Sequence, residues 1–177
     1  MHVFGNKGTS AGAVVHGAVS AIAEARSSDA AHQSRGAQRL VSLSLRVLGA
    51  LSVLAVGAVH LQQFFTLYSE IPTIGTLFVL NFVGATVIGL GLLTPIEALL
   101  GRLGGAVVTL LSLGGIALAA AAFVFLLVSE RTPLFGFMEP GYDPAAILAS
   151  RAAEAATVLF LGGFLVARFL RKAPAGR

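Results

Sequence analysis

Residues 103–128, LGGAVVTLLSLGGIALAAAAFVFLLV, contain no ionisable side chain in 26 consecutive positions. At about 1.5 Å per residue, a helix of that length exceeds the roughly 30 Å hydrocarbon core of a bilayer. This run predicts a transmembrane helix, and three similar runs surround it. Residues 41–66 form the first, with Arg46 one turn inside its start. Residues 72–93 form the second, opened by Pro72 at a favoured first helical position and stopped by Thr94-Pro95. Residues 144–170 form the last. Its uncharged stretch, Ala155–Ala167, is too short to span alone, so anchoring Arg168 at one interface puts Glu154 inside the membrane and Arg151 near its edge.

Composition agrees. The chain has 177 residues, of which 56% are hydrophobic and 11% charged, against about 25% charged in a soluble domain. Its mean hydropathy is +0.87. The fold class this implies is an all-α membrane protein, an antiparallel four-helix transmembrane bundle occupying residues 41–172. The short connections 67–71 and 94–102 favour antiparallel neighbours. The absence of cysteine removes disulfides, thiolate metal sites and iron–sulfur clusters. No cofactor and no metal are expected, since only His60 of the four histidines falls in a span. The net charge of +4 comes from basic residues beside apolar runs. That pattern points to the lipid bilayer as partner rather than to nucleic acid.

Orientation follows from the basic residues. With four spans both termini share a side, which holds Lys7, Arg26, Arg35, Arg39, Arg46, Arg102, Arg168, Arg171, Lys172 and Arg177, against Arg131 and Arg151 on the other. The positive-inside rule makes both termini cytoplasmic in a multi-pass protein of the cytoplasmic membrane. Residues 1–40 are rich in Ala, Gly and Ser, and read as a disordered or weakly helical cytoplasmic tail. Lys7 followed by Ala11–Ala23 loosely imitates a secretory signal, but His16 interrupts it and Leu is missing. Residues 173–177 are a short basic tail. The connection 129–144, SERTPLFGFMEPGYDP, is the long outer loop.

Two sets of residues stand out within the spans. Small residues at helical spacing, Gly49 and Gly57, Ala85 and Gly89, and Ala152, Ala156 and Gly163, mark faces where helices approach closely. His60, Asn81, Arg151 and Glu154 all fall in the outer half of the bundle, His60 about 9 Å below its outer end at 1.5 Å per residue. Polar groups at such depth are costly against lipid, so they should turn inward and pair. The simplest arrangement is a His60–Glu154 contact with Asn81 in hydrogen-bond reach and Arg131 closing the cluster from above. Arg131 and Arg151 are rival partners for Glu154. The cluster reads either as interhelical glue or as a site for a small solute, a proton or a quinone headgroup.

Gly57-Ala58-Val59-His60, Pro72-xx-Gly75-xx-Phe78-xx-Asn81, Arg131-Thr132-Pro133-Leu134-Phe135-Gly136 and Glu154 in the last span resemble small four-span membrane proteins of high-GC Gram-positive bacteria. The resemblance covers roughly residues 45–170. It implies the four-span topology and the polar cluster, and implies no reaction. A likeness to DoxX-type four-helix proteins extends to architecture only. The functional expectation is a small integral membrane protein acting as an accessory or interaction component rather than an enzyme, in a larger membrane complex or a homo-oligomer. The alternative is a small-solute or proton transporter, or a membrane sensor, using His60, Asn81, Arg131, Arg151 and Glu154.

Overall fold

The computed structural model describes residues 9–172, with side chains described at 26–28 and 32–171. The 173–177 tail and the first eight residues lie outside the described residues. Helix α1 runs Thr9–Gln63 and passes into a π-helical turn, Phe64–Tyr68. Then come α2 (Pro72–Leu93), the one-turn α3 (Ile96–Leu99), α4 (Gly104–Ser129) and α5 (Pro144–Lys172). No strand occurs among the described residues. Four helices are long and apolar enough to cross a membrane: Arg26–Tyr68, Pro72–Leu93, Gly104–Ser129 and Pro144–Arg171. The protein is all-α, and these four helices are its bundle.

The chain divides into two units, residues 1–41 and 42–177. In the first, helix begins at Thr9, and the described side chains from 32 to 41 are all exposed. The alanines of this stretch favour helix, and its glycines and serines weaken that preference.

In the second unit the helices interlock through small residues. A Cβ built on Gly57 would lie 2.8 Å from the Ala85 Cβ, and one on Gly89 would lie 2.5 Å from Leu54. Gly91 and Gly84 of α2 face Leu111 and Leu118 of α4. Gly115 of α4 faces Leu161 of α5 and Val53 of α1, and Leu161 also packs on Gly49. Between α1 and α2, and between α2 and α4, residue numbers rise on one helix as they fall on the other. The core is correspondingly small-featured: Ala50, Val53, Ala85, Val108 and Leu161 are wholly buried. Large apolar side chains point outward instead. Leu80, Val87, Leu90, Leu110, Leu113, Leu159 and Val166 are each at least half exposed.

Two of the expected packing positions differ. Ala152 is exposed. The buried stripe of α5 runs through Ser150, Glu154, Thr157, Leu161 and Leu165, and a residue two places from Ser150 lies about 200° round the helix. A Cβ on Gly163 would meet Leu45 at 3.5 Å, an ordinary contact, so no close approach occurs there. Ala156 is half-buried.

At one end of this unit the connection between α2 and α4 is clasped by arginines. Arg46 donates from Nε to the Leu92 carbonyl at 2.7 Å and from Nη2 to that of Thr94 at 2.6 Å. The guanidinium thus serves carbonyls that the end of α2 leaves without helical partners. Its Nη1 reaches Glu97 at 3.4 Å, and Arg168 of α5 holds the other oxygen of Glu97 at 2.5 Å.

Adding a methyl at Gly57 forces two helix backbones apart, because neither Cβ can swing away. Gly57→Ala should therefore lower the melting temperature in detergent, in line with about 1–3 kcal/mol for overpacking. Gly163→Ala should leave it unchanged or slightly raised.

Candidate functional site

The end opposite the arginine clasp contains a cavity of about 370 Å³, within the usual range of about 300–1,000 Å³ for small-molecule pockets. All four long helices and the 130–143 loop contribute to its wall. Most of the lining is apolar: Ile74, Leu77, Leu118, Ala122, Leu126 and Ile147. Leu80 of α2 and Ala121 and Phe125 of α4 line it and are also exposed, so the cavity reaches the surface along the α2–α4 seam.

The structure brings three of the expected polar residues to this cavity, His60, Asn81 and Glu154, and leaves two elsewhere. Arg151 holds Glu130 with both carboxylate oxygens at 2.5 and 2.6 Å. Arg131 is exposed, and neither arginine lines the cavity. The expected His60–Glu154 contact does not form. His60 Nδ1 donates to the Val56 carbonyl at 2.9 Å, one turn back on its own helix. A carbonyl only accepts, so Nδ1 carries the proton, and in the neutral ring Nε2 is an acceptor. Glu154 likewise bonds within its helix, Oε1 accepting from Ser150 Oγ at 2.8 Å. Its Oε2 is buried without a partner, as is Oδ1 of Asn81. The expectation that these groups satisfy one another is corrected: each faces the cavity from a different helix instead.

Several lining residues carried no expectation. Tyr68 donates its hydroxyl to Glu139 Oε2, and Glu139 Oε1 accepts from the backbone N–H of Gly141 at 2.8 Å. Gln63 donates from Nε2 to Asp143 Oδ2 at 2.9 Å. Asp143 Oδ1 also accepts from the Ala146 N–H at 3.0 Å, which makes Asp143 the N-cap of α5 ahead of Pro144. An Asp-Pro pair before an apolar run is a readable helix start. Gln63 and Tyr68 gave no comparable signal. In a regular α-helix Tyr68 would sit about 140° round from Gln63. The wider π turn changes that, and both residues line the cavity. Tyr68 then joins an aromatic cluster, with Phe78 at 4.7 Å and Phe137 at 5.5 Å between ring centroids.

The loop that covers this end is itself tightly turned. Leu134 and Phe137 exchange backbone hydrogen bonds at 2.7 and 3.0 Å, around Phe135 and Gly136, both with positive φ (52° and 81°). That is the signature of a two-residue hairpin turn, and it aims Leu134 and Phe137 at the cavity.

Among the described residues, no three metal-ligating side chains converge. No protein-family model, curated protein or solved structure matches the chain. The cavity's geometry therefore carries the functional argument.

The Ala146 N–H and the Gln63 amide hold the Asp143 carboxyl below the ordinary carboxylate pKa. A depressed folded-state value gives stability that is present above the unfolded pKa, about 3.9, and is lost as pH falls through the folded one. Wild-type protein should thus lose melting temperature on acidification below about pH 4 by more than Asp143→Asn, which should start lower at neutral pH.

Proposed function

We propose that the chain is a multi-pass protein of the cytoplasmic membrane, with both termini in the cytoplasm, that binds a small molecule in the outer half of its bundle as a sensor or carrier. The observation that carries this reading is Glu154. Its carboxyl is 1% exposed, lies on the cavity wall, and has one oxygen without a partner. A buried polar group left in that state costs about 1–3 kcal/mol, more when charged, and a bound donor would offset it. Interhelical glue accounts for the cluster less well, because the bonds that His60 and Glu154 make stay within their own helices. An accessory role would leave the cavity without a purpose. The outward-facing leucines and valines are suited to lipid, and the positive-inside count supplies the orientation. The resemblance to small four-span proteins of high-GC Gram-positive bacteria implies the same topology.

Reporter fusions after Lys172 and within residues 94–102 should report a cytoplasmic location, and a fusion at Gly136 an exported one. A cytoplasmic Gly136 would overturn the orientation. For the site, protein purified in mild detergent should retain a small molecule detectable by mass spectrometry of an organic extract. Ala122→Trp, which fills the cavity, should release it while circular dichroism stays helical. Equal recovery from both proteins counts against the site.

A further inference from the structure

The ligand's chemistry is legible in what lines the cavity, given the binding reading above. Three carboxyl side chains are on its wall, Glu139, Asp143 and Glu154, and no lysine or arginine is. The chain as a whole carries a net charge of +4, so this end is acidic in a basic protein. Arg151 lies one turn before Glu154 on the same helix but does not line the cavity; its Nη2 is taken by Glu130, and its Nε is buried without a partner. Glu139 and Asp143 are held in place by Tyr68 and Gln63 and act on the cavity through their charge. Glu154 differs from them. It is more deeply buried than Glu139, 1% against 6% exposed, and its Oε2 has no partner.

The neutral polar groups add the same preference. Asn81 Oδ1 is an unpartnered acceptor. His60 spends its Nδ1 proton on Val56, which leaves Nε2 able to accept. The wall therefore offers acceptors from three helices, and the molecule it suits is a donor. Aromatic rings of Tyr68, Phe78 and Phe137 stand around the same space, and aromatic faces attract cations once water is removed. The remaining wall is apolar and reaches the surface along the α2–α4 seam, where Leu80 is 60% exposed. A lipid-dissolved molecule has access by that side.

We propose that the cavity takes an apolar organic cation, a protonated amine carrying an alkyl or aryl body, with its ammonium group directed to Glu154 and Asn81. The ammonium supplies up to three donors to acceptors that lack them. Its charge offsets that of the buried carboxylate, and its body fills the apolar wall. An anionic ligand would meet three carboxyl groups and no lysine or arginine on the wall. A neutral alcohol supplies one donor and no charge.

The test uses three probes with one carbon skeleton: octylamine, 1-octanol and octanoate, at neutral pH. The chain contains no tryptophan, so Phe125→Trp at the seam gives a single tryptophan, excited apart from the tyrosines, as reporter in the full chain. Octylamine should shift its emission with an affinity about tenfold tighter than octanol, a difference of about 1.4 kcal/mol, and octanoate should produce no saturable shift. Glu154→Gln in the same background should remove that preference. Micelle partitioning is common to both proteins and cancels in their comparison. Should Glu154→Gln fail to fold, the ranking of the three probes on the protein with Glu154 intact decides alone. Octanol or octanoate binding as tightly as octylamine would leave the site standing and overturn its assignment to cations. No saturable shift with any probe up to about 1 mM, the weak end of specific binding, would overturn the site and the assignment together.

Discussion

Leu161 is wholly buried in a notch between two glycines, Gly49 on α1 and Gly115 on α4. A side chain at either glycine would collide with it, so three helices approach closely there because both positions lack one. The consequence reaches the cavity by helical arithmetic. Glu154 lies seven residues before Leu161, two turns along the same stripe, so the packing that locks α5 also turns Glu154 inward. Val53 touches the same glycine, and His60 follows it by seven residues. Asn81 precedes Ala85 by one turn, and Ala85 is the residue that fits against Gly57. The polar residues are thus aimed by apolar contacts next to them rather than by bonds to one another.

Such an arrangement explains why the cluster can remain unpaired. Helices interlocked through glycine and alanine do not need polar bonds to fix their faces. The loop above the cavity is held by three separate contacts, Tyr68 to Glu139, Gln63 to Asp143 and Arg151 to Glu130. These bonds absorb the polar groups near the surface, and they leave the deeper Glu154 and Asn81 to the cavity. A division of labour results, with the shell of bonds outside and the unpartnered acceptors inside.

The helices were readable because their signals are local. Pro72 and Thr94-Pro95 bracket α2 at its observed limits, and the uncharged run at 103–128 differs from α4 by one residue at each end. Close-packing glycines at 49, 57 and 89 were legible from spacing, but Ala152 and Gly163 were not excluded by it, since spacing alone does not fix which stripe of a helix is buried. The polar cluster was legible as a set and misread as a network. Position along the helices brings His60, Asn81 and Glu154 to one end of the bundle, but side-chain direction depends on tertiary contacts absent from any short window. Arg151 went to Glu130 because the loop doubles back beside it. Tyr68 depended on a π turn, which no residue pattern here announces.

Glu97 has a further consequence, for the order in which the molecule is completed during synthesis. It sits on a one-turn helix in the middle of the chain, and Arg46, made earlier, is already within the nascent polypeptide when Glu97 emerges. Arg168, its other partner, lies on α5 and is made later. One carboxylate therefore has a single arginine within reach until α5 has been made, and acquires the second 71 residues after its own addition. A chain that stops before Arg168 holds Glu97 by Arg46 alone, so this end of its bundle is half fastened.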